Sequence, residues 1–432
     1  MGIGFMDYNA AVTGWGWYSP AQVLSNHDLE KLVDTNDEWI LSRTGIRERR
    51  IAAPGETTSS MATIAARQAL EEAELSPRDL DLVICATTTP DHLVPATACL
   101  IQTNLGADRA AAFDVNAACS GFLYALNTGA QFIQAGGAKR VLIVPGETLS
   151  RFMNWEDRAT CILFGDGAAA VVLEPTIQNA GILTSVLGSR GDVEQMLTIE
   201  AGGCARPASA ETIAEKAHCV RMRGNEIFKL AVRNMAQSAQ EALARAGLSI
   251  SDLRAVIAHQ ANHRILTATQ EALGVSDQQM FINIDRYGNT GASSIPIALG
   301  EYLQANAVDV GDHILFMAFG GGLTWGATVM RWADIPAVKM ERRQSMLKDK
   351  LARSELVKES DIDRGIVAIG AKVTVKDLSD GSEEAFHLVG EGEQDYASNR
   401  ILVTSPFAQG LVGRRKGETA EVQVPRGTLR YK

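Results

Sequence analysis

Three short segments of the chain carry side chains that could do chemistry together. Cys119 lies in Asn-Ala-Ala-Cys-Ser-Gly, His259 opens His-Gln-Ala-Asn, and Asn289 lies in Gly-Asn-Thr-Gly. A cysteine thiolate can hold an acyl group as a thioester. Imidazole and carboxamide N–H groups can stabilise the enolate that forms when a malonyl thioester loses carbon dioxide. The three segments together therefore indicate a Claisen condensation.

Cys119 follows a strand-like run at 111–116 and opens a helical stretch at 120–135. A helix N-terminus presents free N–H groups and the positive end of the helix dipole, which favour thiolate. We therefore expect the pKa of this thiol to lie below its ordinary value of about 8.5. Taken alone, Cys119 also fits a buried structural thiol, which is the reading kept for the other five cysteines.

His259 and Asn289 are also ambiguous when each is considered alone. His259 ends the apolar run 255–258 and fits either a cleft or a satisfied core histidine. Asn289 fits an ordinary glycine turn. The combination with Cys119 is what indicates a site. The backbone N–H of Cys119 and that of a glycine within 320–322 could hold the second oxyanion, which forms when the thioester is attacked.

Apolar strand-like runs alternate with Ala-rich helical stretches up to Trp332, which predicts a layered α/β fold. The predicted strands are 82–87, 111–116, 141–147, 168–173, 255–258, 313–319 and 327–331. The predicted helices are 58–73, 120–135, 225–246, 263–273 and 295–305.

The pattern changes after Trp332. Residues 339–355 read as one amphipathic helix, and short alternating strands follow at 372–376, 384–389, 400–404 and 421–424. This predicts a small, mostly β domain of ~80 residues, which is a viable size. We place the divisions at 1–175, 176–332, a linker with a short helix at 333–356, and 357–432.

Composition restricts the partners. The net charge is −10, and residues 333–432 hold 17 basic and 16 acidic side chains, so residues 1–332 carry the whole negative excess. This argues against direct nucleic-acid binding. No apolar run could span a bilayer, no signal-peptide pattern opens the chain, and the six cysteines form no disulfide framework. We expect a cytoplasmic protein without membrane contact.

With these segments in hand, the chain from about Ala11 to Trp332 resembles ketoacyl synthase III, the 3-oxoacyl-[acyl-carrier-protein] synthase that initiates fatty-acid synthesis. The resemblance implies a thiolase fold, with two similar halves packed as five αβαβα layers, usually as a homodimer. It implies acyl-CoA and malonyl-acyl-carrier-protein as substrates and no cofactor or metal. Further motifs that carry it are Asp-Glu-Trp-Ile at 37–40, Arg-Thr-Gly-Ile-Arg-Glu-Arg at 43–49, Phe-Gly-Asp-Gly-Ala at 164–168, Gly-Asn-Glu-Ile-Phe-Lys at 224–229 and Phe-Gly-Gly-Gly-Leu-Thr-Trp-Gly at 319–326.

The resemblance also implies roles for single residues. Cys119, His259 and Asn289 match the catalytic triad, and Gly321 with Cys119 matches the oxyanion hole. Phe319 matches the phenylalanine beside the nucleophile. The residues that match the coenzyme A and pantetheine site are Trp39, Arg43, Arg158, Gly224, Phe228, Ala261 and Asn262. Lys229 and Arg264 match the basic patch for acyl-carrier protein, although both also fit ordinary solvated charges.

Two segments depart from the family pattern. Gln270 and Glu271 stand where relatives often have lysines, so we expect a weaker carrier-protein patch. Val94 stands in the segment that lines the acyl pocket across the dimer interface, where some relatives have a larger phenylalanine. We therefore expect a primer longer than acetyl to be accepted.

From about Leu347 the chain resembles the C-terminal domain of Gre-type transcript-cleavage factors. The segments that carry this likeness include Ile-Gly-Ala-Lys-Val-Thr-Val at 369–375 and Leu-Val-Gly-Arg-Arg-Lys-Gly-Glu at 411–418. It implies a small FKBP-like α+β domain, which in that family binds RNA polymerase. The family's long hairpin with its acidic tip is reduced to one short helix, so we expect no transcript cleavage. A solubility or dimer-packing module explains the tail equally well.

The sequence leaves other functions open. One is a thiolase-fold acyltransferase or the starter synthase of a secondary, polyketide pathway. Another is a regulator that senses acyl-thioesters and docks to RNA polymerase through its tail. Asn289 favours decarboxylation over simple acyl transfer, and the intact triad argues against an inactive sensor.

Overall fold

The computed structural model describes residues 8–192, 194–353, 365–390, 393–424 and 427–432. Contacts within the chain divide it into two units, Met1–Ser345 and Met346–Lys432. Across these described ranges, no helix combines the length and the apolar character that crossing a membrane requires.

The elements of the first unit are numbered in chain order. The strands are β1 (Asn9–Tyr18), β2 (Gln22–Ser25), β3 (Glu48–Ile51), β4 (Leu82–Ala86), β5 (Ala111–Val115), β6 (Val141–Ile143), β7 (Gly146–Thr148), β8 (Asp166–Thr176), β9 (Gly181–Ser189), β10 (Leu197–Ile199), β11 (Val220–Met222), β12 (Leu253–Ala258), β13 (Met280–Phe281), β14 (His313–Gly320) and β15 (Thr324–Arg331). The helices are α1 (Asn26–Leu29), α2 (Asp37–Thr44), α3 (Thr58–Ala73), α4 (Thr97–Leu105), α5 (Gly121–Gln134), α6 (Ala210–Ala214), α7 (Gly224–Ala246), α8 (His263–Leu273), α9 (Ile284–Tyr287), α10 (Ser294–Ala305) and α11 (Ile335–Arg353). Helix α11 belongs to this unit only as far as Ser345.

Two mixed sheets form the frame of this unit. The first has the strand order β1-β8-β6-β4-β5, with β7 beside β8, and the second has the order β13-β12-β14-β15-β9. Helices α5 and α10 pack between the sheets, α3 and α4 cover the outer face of the first, and α7 and α8 pack on the second. The layers therefore follow the αβαβα order that the resemblance implies.

Close packing of α3 on β1 fixes the outer layer on the first sheet. A Cβ atom at Gly14 would stand 2.1 Å from the carbonyl oxygen of Ala69, and one at Gly16 would stand 2.5 Å from that of Ala65. Only glycine lets the helix backbone approach the strand this closely. The capping box of Thr57 starts the helix where the sequence predicts.

Most predicted elements of this unit are present, with three corrections. The predicted strand 141–147 is two strands, β6 and β7, because Pro145 between them has no N–H for the ladder. The predicted helix 120–135 starts at Gly121, so Cys119 lies in the preceding turn. The glycine-flanked β9 and the tryptophan-rich β1 were not predicted, although both are long members of the two sheets.

The second unit contains β16 (Lys372–Lys376), β17 (Glu383–Val389), β18 (Arg400–Leu402), α12 (Pro406–Leu411), β19 (Ala420–Val424) and β20 (Gly427–Tyr431). Strands β16, β17 and β18 form one sheet, and β19 and β20 form a hairpin. Phe407 packs against Phe386 and Tyr431 at ring-centre distances of 4.8 and 5.2 Å. The result is a small α+β fold, in which α12 and β20 were not predicted.

Helix α11 begins at Ile335, four residues before the predicted start at 339, because the carboxylate of Asp334 accepts a hydrogen bond from the backbone N–H of Ala337. The predicted helix end at Glu355 and the predicted division between 356 and 357 lie outside the described residues.

An ion pair between Arg342 and Glu174 fastens the first part of α11 to β8. The Arg342 Nη1 lies 2.9 Å from Glu174 Oε2, and the two side chains are 10% and 1% exposed. Removing one partner of a buried pair leaves a buried charge behind. We expect Arg342→Ala to lower the free energy of unfolding of this unit by ~3 kcal/mol. All six tryptophans lie at or before Trp332, so urea unfolding followed by their fluorescence reports this unit.

Arg343→Ala is the matched control for that prediction. Arg343 pairs with Glu74, but the two side chains are 66% and 50% exposed, so the loss is expected to stay below ~1 kcal/mol. Equal losses in the two variants would show that the Arg342 pair does not fasten the helix.

Candidate active site

The nucleophile turn, residues 117–120, lies between β5 and α5. Ala118 has a φ of +46°, which turns the chain sharply just before Cys119. Thr324 Oγ1 donates a hydrogen bond of 2.7 Å to the carbonyl oxygen of Ala117 and a longer one to that of Gly321. This threonine therefore ties the nucleophile turn to the glycine segment that follows β14.

The structure overturns the expectation of a lowered pKa for Cys119. Part of the residue's surface is accessible, but the sulfur lies inside the protein, and this burial raises the pKa of the thiol to about 12. The nearby Glu147 carboxylate raises this pKa further, and the residue's own backbone N–H lowers it only in part. The effect of burial on the pKa of Cys119 is therefore larger than the effect of the helix N-terminus. The sequence alone could not show this.

His259 lies at the end of β12 and is 2% exposed. Its Nδ1 lies 2.6 Å from the Oγ of Ser294, and that oxygen accepts a hydrogen bond from the backbone N–H of Gln260. In the tautomer in which the Ser294 hydroxyl donates its proton to Nδ1, the imidazole N–H is on Nε2. Burial lowers the pKa of His259 to about 3, so the ring is neutral.

Asn289 is held on both sides of its backbone. Its N–H donates to the carbonyl oxygen of Leu163 at 2.8 Å, and its carbonyl accepts from the N–H of Gly165 at 3.0 Å. Its side-chain Oδ1 accepts a hydrogen bond of 2.9 Å from the N–H of Gly291. The carboxamide oxygen is therefore engaged, which leaves Nδ2–H as the group that the side chain can donate to a ligand.

The structure brings the three segments together between the two sheets. A Cβ at Gly121, just after the nucleophile turn, would stand 3.3 Å from Ala292 in the Asn289 segment. Ser294, in the same segment, holds His259. Beside the nucleophile lies a cavity of about 410 Å³, whose walls include Cys119, Asn116, Glu147, Leu149, Phe164, Leu197, Ile199, Val220, Gly291, Gly321 and Thr324.

Gly320, at the end of β14, supports the nucleophile turn directly. A Cβ at this position would stand 2.7 Å from the backbone nitrogen of Cys119, 3.0 Å from that of Ser120 and 3.2 Å from the carbonyl oxygen of Ala117. These are backbone atoms, so the turn itself would have to move. We expect Gly320→Ala to slow acyl transfer to Cys119 by about 100-fold, because a small misplacement of a reacting group has effects of that order.

The measurement for Gly320→Ala is the rate of single-turnover acylation. Gly191→Ala is the control, since a Cβ there meets no atom within 4 Å. Acylation at the normal rate in Gly320→Ala would show that the turn tolerates displacement.

The remaining residues predicted near the nucleophile are dispersed. Gly321 lines the cavity beside Cys119. Phe319 is 5% exposed within β14, opposite Trp325 on β15. Val94 is 86% exposed in the single chain, so its predicted place in an acyl pocket requires a second copy to cover it.

The three residues predicted to hold the nucleotide are brought together at the surface. The guanidinium carbons of Arg43 and Arg158 lie 4.7 and 5.0 Å from the ring centre of Trp39. Two groups that sandwich an aromatic ring must lie ~7 Å apart, which is twice a van der Waals contact distance. A base could therefore enter between Trp39 and Arg158 only after the arginine moves.

The residues predicted for the pantetheine wall and the carrier-protein patch lie at the start of α7 and α8. Gly224 begins α7, and Asn262 caps α8 through its Oδ1, which accepts from the N–H of Arg264. The other predicted members here are Phe228, Ala261 and Lys229. The Arg264 guanidinium lies 5.9 Å from the ring centre of Phe228, and both Arg264 and Lys229 are exposed.

Sequence reasoning missed Ser294, Thr324 and Glu147. The serine and threonine stand within segments that already drew attention, the run after Asn289 and the glycine-rich run after Phe319. Glu147 was assigned only to a strand, and an acidic residue inside an apolar run was the signal available. Within the described part of the chain, no group of three or more His, Cys, Asp or Glu side chains is placed to hold a metal ion.

A cysteine, a neutral histidine and an asparagine that converge between the two sheets of an αβαβα fold define a thiolase-fold condensing enzyme. Residues 113–191 match the family model described as 3-oxoacyl-[acyl-carrier-protein] synthase III, and residues 243–332 match the model of its C-terminal part. The chain belongs to the β-ketoacyl-[acyl-carrier-protein] synthase III family, and the predicted thiolase fold is confirmed by its relatives.

Three relatives show how far the likeness extends. The synthase III of Desulfitobacterium hafniense is 52% identical over 325 residues, which cover 75% of this chain and 98% of the relative. That of a Roseiflexus species is also 52% identical, over 323 residues covering 75% and 98%. The crystal structure of 3-oxoacyl-[acyl-carrier-protein] synthase III from Aquifex aeolicus VF5 is 48% identical, with a TM-score of 0.70, and covers 75% of this chain and 100% of that one.

The C-terminal residues resemble a second, different family. Residues 362–432 match the family model of the C-terminal part of the transcription elongation factors GreA and GreB. This confirms the second resemblance.

Proposed function

We propose that the chain catalyses the decarboxylative Claisen condensation of an acyl-CoA primer with malonyl-acyl-carrier-protein, which gives a 3-oxoacyl-acyl-carrier-protein and initiates fatty-acid synthesis. The observation that carries the proposal is geometric: Cys119 lies in the cavity wall, and the Asn289 segment packs against Gly121 just after the nucleophile turn and contacts His259 through Ser294. His259 and Asn289 are both neutral and both carry side-chain N–H groups. No cofactor or metal takes part in the proposed reaction.

In the first half-reaction, the sulfur of Cys119 attacks the thioester carbonyl of acyl-CoA. The backbone N–H groups of Cys119 and Gly321 stabilise the oxyanion of the tetrahedral intermediate. The bond from carbon to the coenzyme A sulfur then breaks, and that sulfur leaves with the proton that the cysteine thiol gives up. The products are acyl-Cys119 and free coenzyme A.

In the second half-reaction, malonyl-acyl-carrier-protein loses carbon dioxide. The electron pair of the broken C–C bond becomes the enolate, whose oxygen accepts hydrogen bonds from Nε2–H of His259 and Nδ2–H of Asn289. The enolate carbon attacks the acyl-Cys119 carbonyl. The cysteine sulfur leaves as thiolate and takes up a proton from solvent.

The substrate contacts form part of the proposal. Trp39, Arg43 and Arg158 would hold the coenzyme A nucleotide, and the start of α7 with Phe228 would form the pantetheine wall. Arg264 and Lys229 would meet the acidic carrier protein, because both are exposed cations, and Arg264 lies beside Phe228 of the proposed pantetheine wall. We place the enzyme in the cytoplasm as a homodimer in which the exposed Val94 segment meets the partner.

The test is product formation by the full chain with malonyl-acyl-carrier-protein and a panel of acetyl, branched and octanoyl coenzyme A. A 3-oxoacyl product supports the synthase, and the preferred primer tests the expectation drawn from Val94. If primers are loaded but no product forms with any of them, acyl transfer becomes the better description.

Contact between the C-terminal unit and RNA polymerase remains a prediction that rests on the likeness of residues 362–432 alone. A pull-down with polymerase should compare the full chain with one that ends at Ser345, where the first unit ends. Equal recovery of polymerase with both proteins would remove this prediction.

A further inference from the structure

Glu147 is a buried carboxylate in the wall of the catalytic cavity that the proposed reaction does not use. It lies in β7, is 0% exposed, and shares the cavity with Cys119. Its oxygens accept hydrogen bonds from the Thr88 backbone N–H at 3.1 Å, the Thr88 hydroxyl at 2.9 Å and the Thr89 hydroxyl at 2.7 Å. A carboxylate with this many donors is fixed in one orientation.

The opposite side of Glu147 faces the Asn289 segment. The backbone N–H of Ala292 interacts with the carboxylate and favours its charged form. A Cβ at Gly291 would stand 2.9 Å from the Cγ of Glu147, so the segment packs directly on this side chain. Gly291 is also the residue whose N–H fixes the carboxamide oxygen of Asn289. One side chain therefore links the turn after β4 to the residues that orient Asn289.

We propose that Glu147 is a positioning residue for the decarboxylation step: it holds the turn at Gly291 and Ala292 so that Asn289 presents Nδ2–H to the enolate oxygen. This inference rests on the proposed function. It assigns Glu147 no contact with substrate, and it predicts that the two half-reactions respond differently to its loss.

The charge of Glu147 should act on the first half-reaction in the opposite direction. Burial raises the pKa of Glu147 to about 7, so the side chain carries its negative charge at pH 8. The titratable groups that interact with it are the thiols of Cys119 and of Cys85 on β4, and burial raises the pKa of both. Neutralising Glu147 removes a charge that opposes the Cys119 thiolate, so acylation should not become slower.

The test is Glu147→Gln at pH 8, with the two half-reactions measured separately. Acylation is followed as transfer of a labelled acyl group from acyl-CoA to the enzyme, and condensation as a single turnover of acylated enzyme with malonyl-acyl-carrier-protein. We expect the rate of condensation to fall by about 10- to 100-fold, which is at most the effect of removing an oxyanion donor. The rate of acylation should equal that of the wild type or rise. Thr88→Val, which removes one of the donors, should show a smaller change of the same kind if Glu147→Gln fails to fold.

Asp166→Asn is the matched control. Asp166 is another buried carboxylate, on β8, and accepts hydrogen bonds from Ser150 and Ala52. Asp166→Asn should change the free energy of unfolding but leave the ratio of the two half-reaction rates unchanged. The inference is wrong if Glu147→Gln lowers both rates together, or if condensation stays within twofold of wild type. Failure of the wild-type chain to condense would instead overturn the proposed function.

Discussion

Replacing Cys119 with alanine is expected to remove condensation altogether, because the acyl group then has no atom to be transferred to. Among the described residues that line the cavity, Cys119 is the only cysteine; Cys85 is fully buried on β4, and Cys204 is exposed. Wild-type protein incubated with acyl-CoA should gain one acyl group on the peptide that contains Cys119, and the variant should gain none. Mass spectrometry of the intact protein and of its peptides measures both.

Cys204→Ala is the control for that experiment, since it removes an exposed thiol outside the cavity and should leave condensation unchanged. A 3-oxoacyl product that persists in Cys119→Ala would mean that condensation proceeds without an acyl-enzyme. The proposed mechanism would then fail at its first step.

The raised pKa of Cys119 adds a pH dependence to the same prediction. The thiolate is the nucleophile, and only a small fraction of a thiol with a pKa of about 12 is ionised near neutrality. The acylation rate of wild-type enzyme should therefore rise by roughly tenfold per pH unit over pH 6 to 9, as long as thiolate concentration limits the reaction. A rate that is flat over this range would indicate that substrate binding lowers the pKa or that another group takes the proton.

The sequence was sufficient to predict the layered fold, and it singled out Cys119, His259 and Asn289 as candidates because each lies in a short segment with its own pattern. The bounds of α3 and α8 were predicted to the residue, since Thr57 and Asn262 cap the two helices through local hydrogen bonds. These features depend on neighbours within a few positions. The two sheets were also largely predictable from alternating apolar strands and helices.

What could not be predicted depends on residues that are distant in sequence. The contact of His259 with Ser294 spans 35 positions, and that of Thr324 with Ala117 spans 207. The pKa of Cys119 was predicted with the wrong sign because the helix N-terminus is visible in the sequence, whereas the burial that outweighs it is produced by the whole fold. Glu147 was missed for the same reason, since Thr88 and Ala292 approach it from opposite directions along the chain.

His259→Ala and Asn289→Ala are each expected to slow condensation by about 10²–10³-fold while Cys119 is still acylated, because each removes one donor to the enolate oxygen. The double variant should lose less than the product of the two single effects, since both donors serve the same oxygen and act as a unit. Malonyl-acyl-carrier-protein decarboxylation and acylation are measured separately. His313→Ala, at the half-buried start of β14, is the control.

The neutral state of His259 gives this prediction a second measurement, the stability of the protein in acid. Its folded-state pKa of about 3 lies below the unfolded value, so the unfolded chain binds the extra proton and stability falls as the pH drops below 6.5, at ~1.4 kcal/mol per pH unit. Glu147 acts in the opposite direction, because its pKa is raised to about 7 and its contribution is lost as the pH rises from 4.5 to 7. The two slopes largely cancel between pH 4.5 and 6.5 in the wild type.

In His259→Ala the Glu147 slope is no longer offset, so unfolding in urea should show stability that decreases more steeply than in wild type as the pH rises through this range. If the variant instead keeps the wild-type pH dependence, the folded-state pKa of His259 equals its unfolded value, and burial does not hold the ring neutral in acid. If acylation is lost together with condensation, His259 takes part in the first half-reaction, and the division of labour between Cys119 and the two donors is wrong.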